Sequence, residues 1–321
     1  MHGPYGGVVP ELASRAHLTN IVPVIQEALR PLPNGLADVD AIAVTHGPGL
    51  VGALLVGVQA AKAIAWSRNL PLIGVNHLVG HLLAVYLRRD PASEPVALQF
   101  PYIALLASGG HTALYRVDGP SDNEIEQLGE TRDDAAGEAF DKVAKLLGLG
   151  YPGGPIVDRL AAQGDPKAVP LPLPMRNKRS LEFSFSGLKT AVAQHVATTG
   201  RPTTEQGRAD LCASFQHAVV TSLVTKSLEA CRREKVARLV LGGGVAANKG
   251  LRSLAREVCE RSGVELWVPP IASCTDNAAM IAYAGAQKAR LTGQMATADA
   301  LALSVFSTSP PLRSGQGRQR A

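Results

Sequence analysis

IGVNHLVGHLLAVYLRR, residues 73–89, sets an apolar run directly before two histidines, His77 and His81. Four residues apart on a helix, the two imidazoles leave the same face. A short apolar strand feeding a helix is one step of α/β winding, and the histidines then stand at the carboxyl end of the strand. Two imidazoles there can hold one metal ion at an open site if a third ligand arrives from elsewhere. A hydrogen-bonded histidine pair on a surface or in a core has the same spacing, so the rest of the chain has to supply that ligand.

Upstream, Leu18, Ile21, Val22, Ile25 and Leu29 form one apolar stripe, which predicts a helix over residues 18–30, kinked or started at Pro23. DAIAVT, residues 40–45, reads as a buried strand that ends in HGPGLVG, where Gly47, Gly49 and Gly52 suit a close backbone approach. Residues 50–66 are apolar nearly all round and read as a helix buried by close packing. After a strand over residues 71–75 and the histidine helix, RRDPASEP marks the expected lobe boundary. The N-terminal lobe is thus expected over residues 1–93 and the C-terminal lobe over 94–276.

The second lobe opens with strands over residues 102–107 and 112–117, joined by SGGH. Ser108, Gly109 and Gly110 offer a hydroxyl and open amides for a phosphate, although a plain hairpin needs the same glycines. After a strand near residues 124–128, Phe140, Val143, Ala144 and Leu147 make a helical stripe that leaves Asp141 on another face. Asp141 there can receive ribose hydroxyls or an amine, or simply pair with Lys142 or Lys145. YPGGP, residues 151–155, is open enough to admit a ligand.

RNKRSLEFSFSGLK, residues 176–189, interleaves the densest basic run with Phe183 and Phe185. It suits an RNA backbone, or a solvated loop over a buried phenylalanine pair. Two helices, at 186–197 and 204–233, read as structural. The strand at 236–241 runs into GGGVAANKG, where a helix start at Asn248 would let backbone amides meet an anionic or ribosyl group. A strand at 264–268 precedes CTDNAAMIAYAG. Asp276 there either caps the last long helix or completes a His, His, Asp set, which suits iron(II) or zinc.

Composition narrows the class. The chain has 321 residues, 46% hydrophobic and 18% charged, as a folded two-lobed protein would. Its net charge of +5 is compatible with an anionic partner, whereas 4% aromatic residues argue against extensive base stacking. The four cysteines form no CxxC pair and nothing resembles a signal peptide, so a reducing cytoplasm is expected. No apolar run is long enough to span a bilayer. The polar, basic tail at 307–321 is expected to be disordered.

Together these motifs resemble a known family. YGGVVPELASR, GPGLVGALLVG, NHLVGHL, SGGHT, DDAAGEAFDK, YPGGP, FSFSGLKT, GGGVAAN and CTDNAAMIAYAG stand in the order found in the bacterial TsaD family, the tRNA adenosine threonylcarbamoyltransferases. The resemblance implies an α/β fold of the two-lobed actin, Hsp70 and sugar-kinase (ASKHA) kind, with the helix near residues 277–292 completing the N-terminal lobe. It implies His77, His81 and Asp276 as ligands of one divalent metal, usually iron(II) with zinc as the other choice. It implies substrate contacts from Leu106, Ala107, Ser108, Gly109, Gly110, Asp141, Gly154 and Asn248, and assigns no general base.

The implied reaction moves a threonylcarbamoyl group from threonylcarbamoyl-AMP to the exocyclic N6 amine of the adenosine 3′ of the anticodon, in tRNAs reading codons that begin with A. AMP is released. Implied partners are tRNA, a smaller paralogous subunit and a P-loop ATPase, with no membrane involved. The family's opening hairpin, of the GIETSCDET kind, has no counterpart here, so the resemblance implies an incomplete N-terminal lobe. That leaves a start assigned too late, or a truncated, non-catalytic module binding nucleotide or partners. A metalloprotease, an older label of this family, is opposed by Leu78, because a zincin needs Glu directly after its first histidine.

Overall fold

The computed structural model describes residues 9–88, 90, 92–174, 180–292, 299–308 and 312. They form two compact units. The first takes the described residues of Met1–Leu83, Pro120–Asn123 and Asn277–Leu312, and the second those of Ala84–Gly119 and Glu124–Asp276. The first stretch of the first unit ends at Leu83, whereas the linker had suggested residue 93.

In the first unit, β1 (Ile42–Gly47) pairs in parallel with β2 (Leu72–Asn76). Alternation along β1 gives each face its own helix. Ile42 and Val44 pack with Ala61 and Ala65 of α2 (Val51–Arg68). Ala43 and Val75 instead meet α10 (Ala278–Thr292) at Gly285, where an added Cβ would lie 2.7 Å from the Ala43 Cβ. Leu303 covers Gly74 on the α2 side.

Two expectations for this unit change. α1 spans Pro10–Leu29, starting well before residue 18, because Pro10 at the first turn lacks only an N–H that has no partner there anyway. It runs on through Pro23. α2 is not buried all round: only Val58, Ala61 and Ala65 are buried, while Leu55 and Trp66 are exposed.

The second unit holds a five-stranded sheet in the order β5-β4-β3-β6-β7. β3 (Tyr102–Ala107) lies at its centre, antiparallel to β4 (Thr112–Val117) and parallel to β6 (Arg238–Gly242). Flanked on both sides, all six β3 residues are buried, which is why YIALLA is a continuous apolar run. β5 (Ile125–Glu130) extends the antiparallel side and β7 (Glu265–Trp267) the parallel side.

The helices α4 (Ala136–Leu147), α5 (Gly153–Ala161), α6 (Ser186–Thr199), α7 (Glu205–Glu234) and α8 (Lys249–Ser262) pack around this sheet. The stripe Phe140, Val143, Ala144 and Leu147 is buried as its spacing requires, and Phe140 meets Phe215 edge to face at 5.2 Å. Phe183 and Phe185 are fully buried and stacked at 6.1 Å. The basic run before them lies at residues 175–179, outside the described residues. The expected tail disorder likewise falls mostly on 309–311 and 313–321, also outside them.

Ser184, pointing opposite to the two phenylalanines, donates to the Asp133 carboxylate, as does Ser186. Asp133 also accepts the Phe185 and Ser186 backbone N–H groups at 2.7 and 3.1 Å, closing the start of α6. Burial raises its pKa, but these four hydrogen bonds outweigh that and hold it below the usual carboxylate value. A lowered folded-state pKa stabilises above the unfolded value and stops doing so as pH falls through the folded one. Asp133→Ala is therefore expected to abolish amide-exchange protection of Phe185 and Ser186 at neutral pH, an effect that acid below the ordinary carboxylate range reproduces in the unaltered chain.

Candidate functional site

β2 ends in Asn76, whose side chain accepts the Leu78 N–H at 2.9 Å and so starts α3 (His77–Leu83) immediately after the strand. His77 and His81 are one helical turn apart, with ring centroids 4.7 Å from each other. α3 can lie close against α10 because residue 80 is glycine: a Cβ there would stand 2.9 Å from Ile281 Cδ1. The cap of α10 belongs to Asn277, which accepts the Met280 N–H at 2.9 Å. Asp276 is the residue before it, at the junction where the chain passes into the first unit.

One ligand atom each from His77, His81 and Asp276 lies within 4.8 Å of the others. His77 is half-buried, His81 buried and Asp276 exposed, so the cluster has a wall and an open side. Two imidazoles and a carboxylate suit a divalent metal and leave coordination positions for other oxygen ligands. The residue after His77 is the buried Leu78, so no zincin base is present. All four cysteines are buried, and burial raises the thiol pKa of Cys212 to about 11 and of Cys231 to about 12, which favours the neutral thiol.

The remaining candidates all lie in the second unit. Leu106 and Ala107 are buried strand residues paired with Ala113 and Thr112 of β4, so their side chains belong to the core. The Ser108 hydroxyl accepts the Gly110 and His111 N–H groups at 3.3 and 3.1 Å, closing the hairpin, so two of the amides expected to cradle a phosphate are engaged by the loop itself. Gly109 and Gly110 are exposed, with nothing within 4 Å of where a Cβ would be. The loop is a hairpin turn with an open tip.

Among the described residues, Asp141 does not pair with a lysine. It accepts the Gly153 N–H at 2.6 Å at the start of α5, whereas Lys142 pairs with Asp134 and Glu138. Gly154, the next residue of α5, has open space where a side chain would be.

GGGVAAN turns tightly beneath β3. Gly243 has φ +80°, and a Cβ there would sit 2.4 Å from the Ala107 carbonyl oxygen, so a larger residue would push the end of β3 away. Asn248 is buried, its Oδ1 accepting the Leu251 N–H at 2.8 Å as the cap of α8. Asp158, which sequence reading did not single out, accepts the Lys249 N–H at 3.1 Å. Two of the first three amides of α8, those of Lys249 and Leu251, are thus taken by side chains. The missed partners, Asp158 and Asp133, carry no local signal, because each acts on residues far along the chain.

Comparison with known proteins gives the chemistry. Residues 1–283 match the sequence profile of TsaD: tRNA N6-adenosine threonylcarbamoyltransferase. A protein of that name from Sorangium cellulosum is 64% identical over 291 residues, 89% of this chain and 82% of that one. Those from Anaeromyxobacter dehalogenans (strain 2CP-C) and Geobacter metallireducens are 54% and 55% identical, over 93% and 88% of this chain and 87% and 81% of theirs. Among solved structures, full-length HypF in its phosphate- and nucleotide-bound form is similar in fold, with a TM-score of 0.57 at 15% identity, over 89% of this chain and 42% of HypF. HypF of T. kodakarensis gives 0.57 and 15%, over 79% of this chain and 41% of that one. The α/β fold is accordingly of the ASKHA kind, and with the histidine pair, the glycine loops and this identity in hand, the chain belongs to the TsaD family of tRNA N6-adenosine threonylcarbamoyltransferases.

Proposed function

We propose that the threonylcarbamoyl group which this transferase places on N6 of a tRNA adenosine comes from threonylcarbamoyl-AMP. The observation that carries this reading is the grouping in one unit of an open hairpin tip, the Asp141 carboxylate at the start of α5 and the Asn248 amide beneath the loop. Such a set suits a nucleotide with a polar acyl group. The adenosine amine forms a bond to the carbamoyl carbon as the bond from that carbon to the phosphate oxygen breaks, so AMP leaves and the amine gives up one proton. Because the leaving group is already good, the chain's own work is to hold amine and carbonyl together.

In this reading the backbone of Leu106 and Ala107, with Ser108, Gly109 and Gly110, borders the donor. Gly154 leaves room for it, Asp141 receives its hydroxyl groups, and Asn248 donates to one of its oxygens. A divalent metal held by His77, His81 and Asp276, with iron(II) first and zinc second, would supply Lewis acidity toward donor oxygens. The tRNA is the one whose target adenosine lies 3′ of the anticodon and that reads codons beginning with A. The net charge of +5 favours such a polyanion, and a cytoplasmic setting belongs to the same reading.

Incubating the chain, with the paralogous subunit and the ATPase present, with threonylcarbamoyl-AMP labelled in threonine tests the donor. Label entering tRNA with one AMP released per group supports it. Label that stays in the adenylate while tRNA is modified from another source refutes it.

Exposed apolar residues on α1 and α2, among them Leu18, Val22, Val24, Leu55 and Trp66, support pairing of the first unit with the smaller paralogue. Val22→Asp with Trp66→Ser is expected to weaken that complex by at least about tenfold in calorimetry without lowering the melting temperature of the isolated chain. Unchanged affinity would place the partner elsewhere.

A further inference from the structure

Asn248 makes a second contact that capping α8 does not require. Its Nδ2 donates to Gln216 Oε1 at 2.7 Å, across from α7, and both residues are 8% exposed. With Oδ1 held by the Leu251 N–H and Nδ2 held by Gln216, the amide cannot rotate without losing two buried hydrogen bonds. Residue 250 is glycine where Gln216 needs the space: a Cβ there would lie 2.6 Å from Gln216 Nε2. A helix cap uses only the side-chain oxygen, and Asp or Ser serves as well as Asn. The contact with Gln216 therefore does something besides starting the helix. It fixes which way the amide faces, and so where the second N–H of Nδ2 points.

We propose that Gln216 is a positioning residue for the donor site: by accepting one N–H of Asn248 it aims the other at an oxygen of the acyl-adenylate. The inference rests on the reading of Asn248 as a donor-binding residue. Gln216 acts through Asn248 and does not itself touch the reacting atoms. An acceptor at position 216 is what the arrangement needs, so glutamate can replace glutamine there and an apolar residue of similar size cannot.

Steady-state transfer by the full chain with its partner proteins, varying threonylcarbamoyl-AMP and tRNA separately, tests this. Gln216→Leu is expected to raise the KM for the adenylate about tenfold, the effect of one lost ordered hydrogen bond, with kcat and the KM for tRNA within about twofold. Gln216→Glu is expected to restore the adenylate KM. Asn248→Asp keeps the capping oxygen but removes the donor, and is expected to raise the same KM. An unchanged adenylate KM in Gln216→Leu, beside an active unaltered chain, overturns the role of Gln216 alone. So does a uniform loss in kcat and both KM values that glutamate does not rescue, which is the mark of a packing role. An unaltered chain that transfers nothing from the adenylate overturns the donor reading, and the role of Gln216 falls with it.

Discussion

His81→Ala is expected to strip the bound divalent metal from the chain and lower threonylcarbamoyl transfer by about 100-fold or more. His81 is the buried member of the cluster, on the same α3 face as His77 and within 4.8 Å of the Asp276 carboxylate, measured between ligand atoms. Removing it leaves one imidazole and one exposed carboxylate, too few to hold a metal against water and buffer. The fold should tolerate the change, because α3 is started by Asn76 and kept close to α10 by Gly80, neither of which needs the imidazole. Metal content by elemental analysis and transfer rate should fall together, while the melting temperature of the metal-free chain stays as it was. Metal retained at one ion per chain in the variant would assign the ion to other residues.

Phe140→Ala is expected to carry the largest stability cost, about 3–5 kcal/mol. Phe140 is 1% exposed, touches Phe215 edge to face and sits at the centre of the second unit's core. Its neighbours on α4, Ala136, Ala139, Val143 and Ala144, are small and buried, so they fill little of the space it would leave. Set against a typical domain stability of about 5–15 kcal/mol, the loss is a large share. It should lower the urea midpoint of the second unit with little change in slope. Asp141 follows Phe140 on α4, so the Asp141 to Gly153 contact should loosen before global unfolding. A midpoint unmoved by the substitution would contradict the packing described.

The sequence shows plainly those parts of the fold that are set by local pattern. YIALLA reads as a buried strand because it is one, flanked on both sides, and the α4 stripe reads correctly because a single face of that helix is covered. α2 misleads for the opposite reason: its apolar residues run all round, yet only Val58, Ala61 and Ala65 find neighbours that bury them. The start of α1 is hidden because PELASRAH lacks an apolar period, and the helix buries only Ala13. In FSFSG the period of two carries the answer, with Phe183 and Phe185 turned inward and Ser184 outward to Asp133.

At the site, the four-residue spacing puts the two histidines on one face, but the spacing alone is the same for a metal pair and a hydrogen-bonded one. Asp276 needed the whole chain, because its place depends on where α10 begins. The anchors at the start of α8 were not legible: Gln216 reaches Asn248 from 32 residues away and Asp158 reaches Lys249 from 91. Spacing patterns report what one element does with itself, and these contacts join elements that only folding brings together.

The central claim is that this chain forms threonylcarbamoyladenosine on tRNA using the centre at His77, His81 and Asp276. The most direct test digests unmodified tRNA after incubation with threonylcarbamoyl-AMP, the partner proteins and either the unaltered chain or its His77→Ala variant, and quantifies the modified nucleoside by chromatography and mass spectrometry. The account predicts threonylcarbamoyladenosine from the unaltered chain and at most about one hundredth as much from the variant. Equal product from the two, or none from the unaltered chain, would contradict it.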